Sequence, residues 1–343
     1  MQNKSIKVKI EKMILMEKYI STIFKNKNND IFNDIFIMYV NDLDKEIQDI
    51  QYKKTKKGRK KIYDNNTFFY YSFIDLLENG NKWRNMNYIC SYSTYYRKFN
   101  LWTTNKVFIN VYKIFINFLK NNKVLKYSDL KNTYIDSSSI RNKHGIDCIG
   151  KNYSDKGKNG TKISVITSTL GIPLSSILIP CNVHDITTVI STINNSVIPL
   201  EESKLGGDKG YISKKLTNEL KKNYKIKLIT FKRKKRRTKE QILYDKKNNI
   251  KHKEEQDTIS NTKFLKNRII IENMFSWIKN NKRIQIRYDK HYKKYESFVN
   301  LAFIKLITKR FSEQYFINKK KEYPKIDIRL FRIYRNKILN KCV

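Results

Sequence analysis

Thr133-Tyr134-Ile135-Asp136-Ser137-Ser138-Ser139 is the stretch of this 343-residue chain where the hydrophobic pattern changes from helical to strand-like. Before it, apolar residues recur at helical spacing, and after it, β-rich runs alternate with short helices. Tyr134 and Ile135 predict a buried strand that ends on the acid Asp136. The stretch therefore predicts that an all-α region gives way to a mixed α/β sheet.

Downstream of this strand, the pattern predicts further strands and helices in a definite order. Strands are expected at residues 162–169 and 174–183, and Gly171-Ile172-Pro173 predicts the turn of a hairpin between them. Helices are expected at 186–198 and 213–222, with strands ending at Gly206-Gly207-Asp208 and covering 226–231. One strong helix is expected at 264–282 and an apolar helix at 298–307.

Three acids stand out by their place in this pattern. Asp136 and Asp208 each end a predicted strand, and Glu272 lies inside the long helix. Strand-end aspartates and a helix glutamate can converge at one edge of an α/β sheet. Three carboxylates supply enough oxygen ligands for two hard divalent cations, which can activate one oxygen and stabilise another during phosphodiester displacement.

The predicted helix around Glu272 is amphipathic. At about 100° per residue, Arg268, Glu272 and Lys279 share one narrow face. The opposite face carries the apolar residues Ile270, Met274, Trp277 and Ile278. A simple ion pair between Arg268 and Glu272 is the alternative interpretation, but it explains neither Lys279 nor the strand-end aspartates.

The charge of the chain points to a polyanionic partner. It carries 72 Lys and Arg against 31 Asp and Glu, a formal net charge of +41, yet 40% of its residues are hydrophobic. An AT-rich coding sequence is an alternative source of lysine, but it does not explain the basic blocks at 53–61 and 232–237. Double-stranded DNA is therefore the expected partner.

Other classes of protein are disfavoured. The chain contains no apolar run long enough for a membrane span and no secretory signal core, so we expect no membrane partner and an intracellular protein. The four cysteines are too far apart in sequence for a CxxC pair, which disfavours a structural zinc site or a disulfide framework.

The region before the sheet predicts a DNA-binding module. A helix that stops at Gly80 is followed by Ser91 and a basic-aromatic helix with Tyr96 and Arg97, which is a pattern typical of a helix-turn-helix. An ordinary helical subdomain fits the pattern equally well. Lys209, next to Asp208, is a further candidate for DNA contact, with simple surface exposure as its alternative.

As a set, several motifs resemble the DDE transposases of bacterial insertion sequences, in the insertion sequence five and four groups. The resemblance covers about residues 133–308. Its motifs are Tyr134-Ile135-Asp136-Ser137-Ser138, Gly160-Thr161-Lys162 through Leu174, Asn182-Val183-His184-Asp185, Gly207-Asp208-Lys209-Gly210-Tyr211, Arg268 with Glu272 and Lys279, and Arg287-Tyr288-Asp289-Lys290.

The resemblance implies a ribonuclease H-like catalytic domain that cuts and transfers DNA strands. It implies two Mg²⁺ ions, with Mn²⁺ able to substitute, on Asp136, Asp208 and Glu272, and phosphate contacts from Arg268 and Lys279. It also implies a homo-oligomer that recognises terminal inverted repeats, in the nucleoid of a prokaryote or at the nucleus or viral replication site of another host. A DNA-binding regulator derived from such an enzyme, which binds without cutting, is the alternative.

The sequence predicts four segments: an N-terminal helical region at 1–50, a basic arm with the DNA-binding module at 51–125, the catalytic domain at 126–312 and a basic tail at 313–343. A charged insertion is expected at 232–261. Two positions depart from the family pattern, because Leu265 stands where a tyrosine is usual and Ser168 where an acid is common. His184-Asp185 is interpreted as a loop-stabilising or supporting pair rather than a catalytic base with its acid.

Overall fold

The computed structural model describes residues 40–41, 66–85, 90–121, 124–231, 238–248 and 259–317. These form two compact units. The helical unit contains the described residues up to Val124, Ile140–Ile149 and the described residues from Trp277 on. The sheet unit contains Leu125–Ser139 and the described part of Gly150–Ser276. The boundaries of the four segments expected from the sequence stay predictions.

The secondary structure follows the predicted order. The first helices are α1 (Asn66–Asn79), α2 (Tyr92–Thr104), α3 (Val107–Asn121) and α4 (Tyr127–Lys131). They are followed by β1 (Asn132–Asn142), β2 (Gly150–Asn152), β3 (Lys158–Ser168), β4 (Pro173–Pro180), α5 (Asp185–Asn194), β5 (Lys204–Gly207), α6 (Lys214–Tyr224) and β6 (Lys227–Thr230). The chain continues through α7 (Lys239–Lys247), α8 (Ile259–Lys266), α9 (Ile269–Lys279), α10 (Lys282–Gln285), β7 (Ile286–Arg287) and α11 (Tyr292–Ile317).

The sheet is mixed. Its strand order is β2-β3-β1-β5-β6, and β4 also pairs with β3. β1, β5 and β6 run parallel, whereas β3 and β4 form the antiparallel hairpin predicted around Gly171, whose φ of 68° favours glycine. The predicted fold class, a mixed α/β domain of the ribonuclease H-like type preceded by helices, is confirmed.

Two sequence predictions about these elements are wrong in detail. β1 does not end at Asp136 but continues to Asn142, and its last residues pair in parallel with β7. The single helix expected at 264–282 is three helices, because a turn at Asn267 and Arg268 separates α8 from α9 and a second break precedes α10. Arg268 therefore lies before α9 rather than on its face.

An aromatic cluster fills the helical unit. The ring of Phe73 in α1 lies 5.1 Å from that of Phe99 and 5.3 Å from that of Trp102, both in α2. Phe298 of α11 stacks on Phe99 with ring centroids 4.6 Å apart. Helices from both ends of the described chain therefore share one core. Gly80 ends α1 as predicted, in a left-handed conformation, and a Cβ there would lie 2.9 Å from the Cβ of Lys282.

Two buried arginines fix the loop that follows α10. Arg283 binds both carboxylate oxygens of Asp289, at 3.2 and 2.8 Å. Arg287 is fully buried, and its Nη2 lies 2.5 Å from Oδ1 of Asp147. Burial alone would raise the pKa of Asp147, but hydrogen bonds from Arg287 and the Tyr292 amide hold it below its ordinary value. The motif Arg287-Tyr288-Asp289-Lys290 thus has a structural role in the helical unit.

Several sequence predictions lie outside the described residues. The N-terminal helical region is described only at residues 40 and 41, and both basic blocks and most of the basic tail fall in undescribed segments. Within the charged insertion, the structure describes residues 238–248 and 259–261, including α7. In the part of the chain that is described, no helix combines the length and the apolar character needed to cross a membrane.

Candidate active site

Asp136 and Asp208 come together because β1 and β5 are parallel neighbours in register. Tyr134 of β1 pairs with Gly206 of β5, so two residues further along each chain lie Asp136 and Asp208. A Cβ on residue 206 would lie 2.9 Å from ring atoms of Phe264 and Tyr134, so only glycine fits between these two rings. The sheet therefore brings both aspartates together just beyond the last paired residues of β1 and β5, as the sequence predicted, although β1 continues beyond Asp136.

Asp136 is largely buried and carries a perturbed pKa. Burial raises the pKa of its carboxyl above the ordinary value, and the nearby charge of Asp208 raises it further. The Ser137 amide, which donates a 2.8 Å hydrogen bond to Oδ1, and the guanidinium of Arg268 act in the opposite direction. Asp136 is thus a carboxylate whose charge needs cationic partners.

Arg268 supplies such a partner and joins Asp136 to Glu272. Its Nη1 donates to Oδ2 of Asp136 at 2.7 Å, and its Nη2 donates to Oε1 of Glu272 at 2.5 Å. Arg268 occupies the turn between α8 and α9, and Glu272 lies in the first turn of α9. One guanidinium group therefore spans two of the three predicted acids.

Asp208 lies at the exposed side of the site. Its Oδ1 accepts a short hydrogen bond from the Gly210 amide. This bond caps a 3₁₀ turn, Lys209–Tyr211, which follows β5 and Asp208. Among the described residues, no three His, Cys, Asp or Glu side chains lie close enough together to hold a metal ion. Arg268 lies between Asp136 and Glu272.

Asp185 forms a second cluster beside Asp136. Its Oδ1 accepts hydrogen bonds from the Ser137 hydroxyl at 2.7 Å and from the Lys162 ammonium at 2.9 Å. His184 is exposed and precedes α5, so it does not orient Asp185 as a catalytic pair would require. Sequence reasoning noted the His184-Asp185 motif but could not find Lys162 or Ser137 as its partners.

Tyr211 is buried next to these acids. Only 2% of it is exposed, so it does not offer a surface for DNA, whereas Lys209 is exposed. Burial raises the pKa of Tyr211, and the charges of Asp185, Asp136 and Asp208 add to the rise. The charges of these three aspartates therefore act on the buried Tyr211 hydroxyl.

The remaining predicted residues are distributed over the helical unit. Lys279 is the last residue of α9, and burial lowers the pKa of its ammonium group. In α2, Arg97 is exposed, while Lys294 of α11 donates a short hydrogen bond to the Tyr96 hydroxyl and lies 4.5 Å from its ring centroid. Tyr96 thus already has an intramolecular partner.

The two departures from the family pattern have structural explanations. Leu265 is only 2% exposed and belongs to the core, so it offers no phosphate contact. Ser168 is buried at the end of β3, where its hydroxyl accepts hydrogen bonds from the amides of Leu170 and Ile172 at 3.3 Å. Serine therefore stabilises the hairpin turn without an acid.

Comparison with known families gives one match. A family model described as the transposase DDE domain matches residues 128–308, which is more than half of the chain. Neither a search of curated proteins nor a search of solved structures returned a significant match. The matched range includes Asp136, Asp208, Arg268 and Glu272.

Proposed function

As the chain belongs to the family of transposase DDE domains, we propose that it binds the terminal inverted repeats of a mobile element and cuts and transfers DNA strands there. Family membership gives transposition of DNA as the general activity. The finer proposal is supported by one observation above all. Asp136 lies beside Asp208 on neighbouring parallel strands, and Arg268 joins Asp136 to Glu272.

We propose that these three acids hold divalent cations, Mg²⁺ or Mn²⁺. The donor set fits, since it consists of carboxylate oxygens, which hard divalent cations prefer. Arg268 binds one oxygen each of Asp136 and Glu272, so it would compete with the cations for these carboxylates. When bound, a pair of metal ions would lower the pKa of an attacking water and stabilise the leaving oxygen.

The chain's own residues would position the DNA. A released Arg268 presents a planar guanidinium suited to two phosphate oxygens at once. We assign Lys279 to a second phosphate contact, because burial disfavours its charged ammonium and an anionic partner offsets that cost. The exposed Lys209, next to Asp208, is a third candidate for contact with the backbone.

Recognition of the element ends is assigned to α2. Its buried residues Tyr95, Phe99 and Trp102 anchor one face, and the exposed Arg97 lies on another. Arginine is the side chain that most often reads guanine in the major groove. We propose that the protein acts as a homo-oligomer on DNA inside the cell; its assignment to the insertion sequence five and four groups stays a prediction.

The test is a strand-transfer assay with the full-length protein and oligonucleotides that carry the inverted repeats flanking its gene. Transposition predicts cleavage at the repeat end and, with Mg²⁺ or Mn²⁺, joining of the released 3′-hydroxyl to a second duplex. Binding without cleavage would instead identify a regulator, and cleavage without joining a hydrolytic nuclease. Either of these outcomes would contradict the proposal.

A further inference from the structure

Ser137 connects the proposed site to a second acid. Its amide donates a 2.8 Å hydrogen bond to Oδ1 of Asp136, and its hydroxyl donates a 2.7 Å bond to Oδ1 of Asp185. One residue thus holds two carboxylates that are far apart in sequence. Since Oδ1 of Asp136 is fixed by this amide and Oδ2 by Arg268, the orientation of the Asp136 carboxylate depends on where Ser137 lies.

Lys162 fixes the other side of Asp185. Its ammonium, 12% exposed, donates to Oδ1 of Asp185 at 2.9 Å and to the carbonyl oxygen of Val183 at 3.0 Å. Lys162 extends from β3, next to β1 in the sheet order. A mostly buried ammonium with two acceptors is more firmly held than a surface ion pair, so Asp185 has a defined position.

Tyr211 closes this cluster on a third side. Its ring packs under Gly207, where a Cβ would meet the ring at 3.0 Å, and its buried hydroxyl has no hydrogen bond of normal geometry. The Ser137 hydroxyl lies near it.

We propose that Asp185 is a positioning residue for the active site: held by Lys162, it anchors Ser137 and thereby fixes the orientation of the Asp136 carboxylate. This inference rests on the proposed function and adds residues to it. Partners that orient a ligand without touching the metal are as much a part of such sites as the ligands themselves.

The experiment uses full-length variants and Mn²⁺ as the probe. Ser137→Ala removes only the hydroxyl link, and Asp185→Asn removes the charge that Lys162 binds. Asp155→Asn is the matched control. Asp155 also pairs with a lysine, and its side chain is 34% exposed, as that of Asp185 is, but it lies in the β2–β3 hairpin. Thermal unfolding identifies any variant that has lost its fold.

Three kinds of measurement are made. Calorimetry without DNA gives the Mn²⁺ affinity, assays with DNA give the cleavage rate together with the affinity for DNA, and crystal structures give the orientation of the Asp136 side chain. We expect Ser137→Ala and Asp185→Asn to lose about 10- to 100-fold in Mn²⁺ affinity and cleavage rate, with unchanged affinity for DNA. In the crystals, the Asp136 carboxylate should be rotated. Asp155→Asn should match the wild type in all three.

Two results would overturn the inference. One is an unrotated Asp136 in both variants. The other is a loss of Mn²⁺ affinity in Asp185→Asn as large as in Asp136→Asn, with none in Ser137→Ala, because Asp185 would then be a ligand itself. If the wild type neither binds Mn²⁺ nor cleaves DNA, the proposed function fails, and the crystal structures still decide the positioning role.

Discussion

Arg268 donates a 2.7 Å hydrogen bond to Asp136 across 132 residues of sequence. The same guanidinium holds Glu272, so a single positive charge lies between two of the acids assigned to metal binding. Because a divalent cation would also neutralise these carboxylates, Arg268 and the cation compete for them. In the absence of a cation, the arginine keeps the two carboxylates together.

Replacing Arg268 by alanine should therefore separate two effects. Mn²⁺ binding should persist, and it should become tighter, because no side chain competes for Asp136. Cleavage should nevertheless slow down, since the DNA loses a phosphate contact; Lys279→Ala should slow it without tightening Mn²⁺ binding. Calorimetry and single-turnover cleavage measure the two quantities, and loss of Mn²⁺ binding in Arg268→Ala would contradict the competition.

Asp208→Asn tests the metal assignment directly. The substitution keeps the size of the side chain but removes the charge that a hard cation needs. Cleavage should fall by more than about 100-fold, which exceeds the usual effect of an outer partner. Affinity for the element ends should survive, because it is assigned to α2. A gel assay for cleavage and an anisotropy assay for binding decide this, and wild-type cleavage would disprove the role of Asp208.

Affinity for DNA should depend steeply on salt, because the chain carries a net charge of +41. If about six phosphates are neutralised, affinity for a random duplex should fall roughly a thousandfold between about 50 and 200 mM salt. An anisotropy titration at several salt concentrations measures the slope. An affinity that does not change with salt would mean that the excess lysines do not contact the phosphate backbone of DNA.

The double substitution of Tyr96 and Arg97 by alanine should abolish end-specific binding and leave non-specific binding largely intact. Tyr96 also binds Lys294, so part of any loss could come from the fold. Tyr96→Phe removes only the hydroxyl and serves as the control, and Arg97→Ala isolates the exposed cation. Equal loss on specific and random duplex would indicate that α2 contacts only the backbone.

Asp147→Asn should destabilise the protein in a pH-dependent manner. The pKa of Asp147 is lowered in the fold, so its charge contributes stability above its unfolded pKa of about 3.8, and this contribution is lost as the pH falls through the lower folded value. At neutral pH the variant should lose about 1.5–3 kcal/mol, the value of a hydrogen bond to a charged group. Urea unfolding at pH 7 and pH 3 tests this: the two proteins should differ less at pH 3.

The sheet edge was predictable because its signals are local. The adjacent apolar residues Tyr134 and Ile135 mark β1, and glycine and proline mark the hairpin turn at Gly171. Placing Asp136 and Asp208 together then requires only that the two strands be parallel neighbours. The Arg268–Glu272 ion pair also follows from its four-residue spacing. The contact of Arg268 with Asp136 and the contacts of Asp185 were not predictable, because the partners lie on other elements and no spacing encodes them.

The break between α8 and α9 was missed for a related reason. The apolar pattern continues through Leu265 and Ile269, and neither glycine nor proline interrupts it. The backbone instead tightens, as the amides of Asn267 and Arg268 bond three residues back. Periodicity also predicted that Trp277 lies on the buried face of the helix. The structure shows it 37% exposed, with its ring centroid 4.7 Å from the ammonium nitrogen of Lys309. Partners on α11 explain this position.

The shared aromatic core of the helical unit also sets an order of events during synthesis. Phe99 leaves the ribosome long before Phe298, its stacking partner, has been made. At about 5–20 residues per second, the first helices wait on the order of ten seconds for α11. The sheet edge with Asp136 and Asp208 is complete in the nascent chain before that. The core that packs against α2, the helix proposed to recognise the element ends, is therefore completed only after the strands that carry Asp136 and Asp208 have been made.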